Sequence, residues 1–328
     1  ITKITRPNST HLVNIAINKF KELKMKTLKW LVLSTNKEGF GPCPKEVVMR
    51  PAVAFKELLE KRTNGSLQVE LIKDFGSYKE QYGKRVDFSN IFEALQDNDV
   101  SIAQVEVASL EGPHRALDLP WMFESHEHAT KVLDGSIGTN LNKHLEKKGM
   151  VGLAYTYSGG YRAFGSFDKI PSIEDFKGKK VLINGNPITK EYMEMLGLKT
   201  TREKRNGSID FRDTTYIRFK EGKSFLKSSH SLFLTDIIVS KKFYDTLTTE
   251  EQDTLNSVAK EVATLERGWT TEDARVFEET AKERGCEIVQ LSEEDKAMMK
   301  EKAESKYKEW GDKFFPSLNL VKKIKSLN

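Results

Sequence analysis

The chain is poor in cysteine. Only Cys43 and Cys286 occur in 328 residues, far apart, with no CxxC and no Cys/His cluster. A structural zinc site therefore has no ligand set here. The two could pair in an oxidising compartment, although two separate thiols is the simpler reading. Long apolar runs are also missing. None approaches the roughly 18 residues that a spanning helix needs, so the body does not read as a membrane protein. There is no P-loop, no HExxH and no nucleophile elbow. The segment Gly39–Pro44 (GFGPCP) resembles half a dinucleotide fingerprint, but Pro44 stands where the third glycine belongs, and the motif fails. The helix start behind it could still offer N–H groups to a polar ligand. His126 and His128 flank Glu127, a spacing that does not put both rings on one helix face. They read as exposed histidines at a helix start. Nothing specifies a reaction, a metal or a cofactor, and the chain reads as a non-enzyme.

Net charge of one sign is also scarce outside the first residues. The chain carries +5, and residues 1–26 hold all of it: Lys3, Arg6, Lys19, Lys21, Lys24 and Lys26 against Glu22. The remaining body sums to zero and shows no basic stripe with interleaved aromatics, which sets nucleic-acid binding aside. With 38% hydrophobic and 31% charged residues the composition is that of a globular protein. The length suggests about two domains. A start at Ile1 instead of Met is read as the loss of a preceding segment, such as a signal peptide.

What is present is an alternation of patterns. Residues 11–25 place Leu12, Ala16, Phe20 and Leu23 at helical spacing among lysines, a basic amphipathic helix that either touches a surface or docks on the body. Strand patterns follow at 27–35, 66–74, 101–110, 150–167 (interrupted by Gly159–Gly160), 175–184, 209–219, 231–240 and 287–291. Helix patterns fall at 45–61, 88–96, 126–148 and 190–196. Such alternation predicts mostly parallel sheets with helices on both faces. Thr248 and Glu251 form a capping box that opens a helical pattern reaching Glu283, with Gly268 as a candidate kink. A helix that long exceeds one small lobe and is expected to cross between two. Two more helices end the chain.

Three segments carry a family resemblance: Asp118–Phe123 (DLPWMF) with Glu127–Ala129 behind it; Ser158–Ser166 (SGGYRAFGS) leading to Ile173–Val181; and Ser229–Leu247 leading into the long helix. In order and spacing the chain resembles the DctP-type solute-binding subunits of tripartite ATP-independent periplasmic (TRAP) transporters. The resemblance implies a periplasmic binding protein-like fold of two α/β lobes joined by crossing strands and the long helix. It implies a small-molecule ligand in the cleft, membrane subunits as partners and a periplasmic or membrane-tethered location, with no catalysis. Residues 1–26 are then an N-terminal extension, 27–159 plus 234–273 one lobe, and 160–233 plus 274–328 the other, in a protein expected to act as a monomer. A sensor or scavenger of the same fold, or an α/β enzyme, are the alternatives.

The resemblance also implies site residues. Arg162, in GGYRAF, matches a cleft-facing family arginine, with a hinge ion pair as the competing reading. Glu106 matches a strand-end position that looks into the cleft, or is a solvated strand-end acid. Asn184 matches a ligand-contact region, or caps a loop. Leu182 stands where the family has an arginine that grips a ligand carboxylate, and an apolar side chain cannot replace that fork of donors. The basic stretch 199–208 is shorter than the family's helix there, so Arg212 and Tyr216 become candidates to enter the space. Trp30 and Trp121 read as core residues before cleft walls. The ligand is thus either an organic acid held in a non-standard way or a zwitterionic or neutral compound.

Overall fold

The computed structural model describes residues 25–33, 45–170, 172–202, 209–315 and 318–328. The expected first helix (apart from Met25), the 36–44 loop with Cys43, and residues 203–208 of the basic stretch lie outside these.

The first part of the chain runs β1 (Lys26–Leu31), α1 (Lys45–Arg62), β2 (Leu67–Ile72), α2 (Phe75–Tyr82), α3 (Ile91–Gln96) and β3 (Ile102–Glu106). The strands pair in parallel, β1 between β2 and β3. Sequence periodicity does not reveal α2. It is opened by Asp74, whose carboxylate accepts from the Ser77 N–H at 2.8 Å. The single helix expected over 126–148 is two, α4 (His126–Asp134) and α5 (Ser136–Glu146), broken at Gly135. A Cβ on Gly135 would lie 2.5 Å from the Lys131 carbonyl oxygen, so only glycine permits the turn between them.

The chain then crosses to a second sheet. β4 (Met150–Tyr161) belongs to the first sheet and β5 (Ala163–Ser166) to the second, with Arg162 alone between them. There follow β6 (Lys180–Leu182), α6 (Pro187–Met195), β7 (Lys199–Thr201), β8 (Phe211–Thr214) and β9 (Ser224–Lys227). β10 (Leu232–Ser240) returns to the first sheet, followed by α7 (Lys241–Tyr244), α8 (Thr249–Thr280), β11 (Glu287–Gln290), α9 (Glu293–Phe314) and α10 (Leu318–Lys325). The orders are β2-β1-β3-β10-β4 and β11-β9-β5-β8-β6-β7. Both sheets are mixed, not mostly parallel as the alternation predicted. β10 returns against the direction of β3 and β4, and β5 runs against both its neighbours. A strand that leaves one sheet and one that comes back must run opposite ways.

At the crossing, the β4–β10 register slips between Phe233 and Leu234, a bulge that re-aims β4 towards the second sheet. Gly159 sits in this bulge at φ 130°, and a Cβ there would approach Thr215 Oγ1 to 2.4 Å.

The capping box of Thr248 and Glu251 opens α8, whose 32 residues span about 48 Å at 1.5 Å per residue. Its first half packs Leu255, Val258, Ala259 and Val262 on the first sheet and α1. Near its end Phe277 packs with Tyr216, Phe219 and Phe225 of the second sheet's side. In the middle, the Arg267 guanidinium makes two 2.8 Å bonds to Asp134, and buried Glu266 accepts from Gln104 at 2.8 Å. The helix passes Gly268 without a break.

Residues 274–328 do not all attach to the second half. Trp310 Nε1 donates to Glu191 of α6 at 2.7 Å, whereas α10 lies on α4, where the Ile324 carbonyl is 2.9 Å from His128 Nε2. This corrects the expectation of exposed histidines. His128 is buried and His126 stacks on Tyr157 at 5.2 Å. Because the Glu124 N–H donates to His128 Nδ1, Nε2 carries the proton that Ile324 accepts. Trp30 is core, edge-on to Phe55. Trp121, at φ 61°, donates through Nε1 to the Tyr192 hydroxyl at 2.9 Å. Among the described residues no helix is long and apolar enough to cross a membrane.

Gly159→Ala should destabilise the fold by about 1–3 kcal/mol, the usual cost of forcing a methyl into a filled space, measured by urea unfolding. An unchanged midpoint would show that the bulge relaxes freely.

Candidate functional site

The polar site forms where the carboxyl ends of β3 and β6 meet the crossing strand. Arg162 is 3% exposed. Its Nη2 donates to Glu106 Oε1 at 2.8 Å, and its Nη1 lies 3.3 Å from Asp213 Oδ2. β8 buries Asp213 completely, on the same face as Phe211 two residues before it. His230, in the return crossing between β9 and β10, places Nε2 3.2 Å from Asp213 Oδ1. From the second sheet, Asn184 Nδ2 reaches Glu106 Oε1 at 3.3 Å. Asn186 donates to Asp118 Oδ2 at 2.5 Å while its own oxygen caps α6 at Ile188. Phe233 lies between two guanidinium groups, 4.4 Å from Arg162 and 3.9 Å from Arg218.

Three carboxyl groups thus surround one guanidinium. Burial alone would raise Asp213, but Arg162 and then His230 hold its carboxyl below the ordinary carboxylate range. Asp118 goes the other way. Burial, with Glu106 and Asp213 nearby, outweighs the opposing pull of Arg162 and the Asn186 bond and raises its carboxyl to about 7.

The structure therefore brings together Arg162, Glu106 and Asn184, as the sequence suggested, and makes Arg162 a buried ion pair whose two Nη atoms are already engaged. Leu182 ends β6, half-buried, two residues from Asn184. Arg212 and Tyr216 are corrected. Arg212 pairs in register with Leu182, but its guanidinium lies 4.2 Å from the Phe219 ring. There it lines a separate pocket with Gly165, Ser166, Phe167, Ile209 and Asp210, at the opposite end of the strands. Tyr216 stacks on Phe277 at 5.4 Å beneath α8, an aromatic core contact. Sequence reasoning missed Asp118, Asn186, Asp213 and His230. The one available signal was an acid inside an otherwise strand-like run, Asp213 in FRDTT. Among the described residues no group of His, Cys, Asp and Glu is arranged to hold a metal ion. Cys286 is a free, buried thiol.

Residues 43–204 and 217–313 match the DctP family model, described as bacterial extracellular solute-binding protein, family 7. The chain is 27% identical over 252 residues to the 2,3-diketo-L-gulonate-binding periplasmic protein YiaO of Escherichia coli, covering 73% of this chain and 75% of that one. It is 26% identical over 270 residues to the C4-dicarboxylate-binding periplasmic protein DctP of Rhodobacter capsulatus, covering 76% and 78%. Among solved structures, a TRAP periplasmic solute-binding protein from Ochrobactrum anthropi superposes with a TM-score of 0.78 at 21% identity, over 93% of this chain and 95% of the other. One from Sulfurospirillum deleyianum with bound succinate gives 0.75 at 22%, over 93% and 99%.

Arg162→Ala should lower stability by about 3–5 kcal/mol, because it strands buried carboxylates. Urea unfolding measures this, and an unaltered midpoint would contradict the ion-pair role. The raised carboxyl of Asp118 has a defined sign. A group that holds its proton longer folded than unfolded adds stability below about pH 4 and loses it as pH rises towards 7. Asp118→Asn should therefore melt closer to the parent at pH 4 than its relative gain at pH 8, and equal differences at both pH values would contradict the shift.

Proposed function

Because the chain belongs to the DctP family of bacterial extracellular solute-binding proteins, the substrate-binding subunits of TRAP transporters, we propose that it captures a small organic solute between its two α/β halves and hands it to TRAP membrane subunits outside the cytoplasm. The observation that carries this reading is the convergence at the crossing. Glu106 comes from the first sheet, Asn184 from the second, and Arg162 from the strand that joins them. Groups from both halves thus meet at strand carboxyl ends, where α/β sheets place their ligands. A solute bridging them favours the closed arrangement over the open one, and the membrane partner distinguishes the two. Glu106, Asn184 and Leu182 face the solute in this reading. Arg162 acts through Glu106, fixing its carboxylate. The relatives' names point to small organic acids as cargo, and those of YiaO and DctP name a sugar acid derivative and C4-dicarboxylates.

Native mass spectrometry of the purified chain, followed by denaturation and identification of what is released, tests capture directly. One small organic molecule per chain, recovered chemically unchanged, is the expected result. A protein that carries nothing, and that no metabolite stabilises in a thermal-shift screen, would contradict it.

A further inference from the structure

We infer that the captured solute carries a protonated amine, held on the open carboxylate oxygen of Glu106. This rests on the capture reading above and narrows its ligand.

The argument begins with donors. A ligand carboxylate needs an unoccupied cation, ideally a guanidinium fork. Of the two guanidinium groups at the crossing, Arg162 is the fully buried one, and its Nη2 and Nη1 already face Glu106 and Asp213. The resemblance places a second arginine at position 182, where this chain has leucine. Arg212, its neighbour in register, is turned to the far end of the strands and rests on Phe219. The two amides on the second half each already give one N–H to an acid, Asn184 to Glu106 and Asn186 to Asp118. An entering carboxylate would meet the acid of Glu106, and the second guanidinium at the crossing, Arg218, already gives its Nε and Nη2 to Ser158.

An ammonium meets the reverse. Glu106 is the exposed member of the cluster, its side chain 26% accessible, while Arg162 and Asp213 are 3% and 0%. Arg162 and Asn184 both use its Oε1. Among the described residues no group donates to Oε2, which is left for an incoming N–H. Arg162 and Asn184 hold the carboxylate in place before the solute arrives, so little ordering remains to be done on binding. Leu182, half-buried on the facing strand end, offers a carbon skeleton an apolar contact where a carboxylate would need charge.

The test uses the full chain and matched pairs of solutes that differ in one end group: 4-aminobutyrate against succinate, and 6-aminohexanoate against hexanedioate. Affinities are read by calorimetry, and any compound released on denaturation is identified. The amine member of a pair should bind at least about tenfold tighter, and a released compound should contain an amine. Glu106→Gln should weaken amine binding by a similar factor. Tighter binding of the diacid, or release of a nitrogen-free acid, overturns the inference while leaving capture intact. If no probe binds and nothing is released, capture itself fails and the inference falls with it.

Discussion

A guanidinium taken out of water must be surrounded by acceptors, and this requirement organises the crossing. Arg162 is the single residue between two sheets, so its backbone position is set by the strand that joins them. Removing its charge from solvent is tolerable only because Glu106 and Asp213 reach it from different sheets. Satisfying one side chain therefore ties β3 to β8. The remaining neighbours follow. His230 approaches Asp213, and Phe233 covers the guanidinium face. Gly159 gives the bulge that turns the strand towards its second sheet.

The same logic recurs on α8. Its apolar stripe packs on the first half and its last turns on the second, while the turn between carries buried Glu266 and Arg267. Those two bond to Gln104 on β3 and Asp134 on α4. The outgoing strand and the long helix thus both hold polar contacts of defined length and direction near their midpoints, with apolar packing to either side. Hydrogen bonds have narrow geometry, so such contacts specify an arrangement more sharply than packed methyl groups do. The consequence at the crossing is that the Arg162 guanidinium is engaged in holding the halves together through Glu106 and Asp213.

Much of this was readable in advance. The long helix announced itself through a capping box and sustained apolar spacing, and the two-sheet family through three spaced segments. Arg162, Glu106 and Asn184 were each implied by the resemblance, one position at a time, and their meeting at one point is what the fold adds. What failed had physical causes. Strand direction is not encoded in hydrophobic alternation, so the mixed sheets were missed. The break at Gly135 depends on a carbonyl one turn away, which no local pattern reveals. Arg212 was misplaced because side-chain alternation tells which face a residue takes, not which end of the sheet a long side chain runs towards. Asp118 and Asp213 were overlooked because their meaning comes from a partner distant in sequence.

The central claim is that Arg162 is committed to the protein's own carboxylates and leaves the solute to Glu106. A crystal structure of the chain with its solute bound tests this most directly. The account predicts Arg162 Nη atoms still on Glu106 and Asp213, with a donor of the solute on the second oxygen of Glu106. A solute carboxylate seated on the Arg162 guanidinium, with Glu106 displaced, would contradict it.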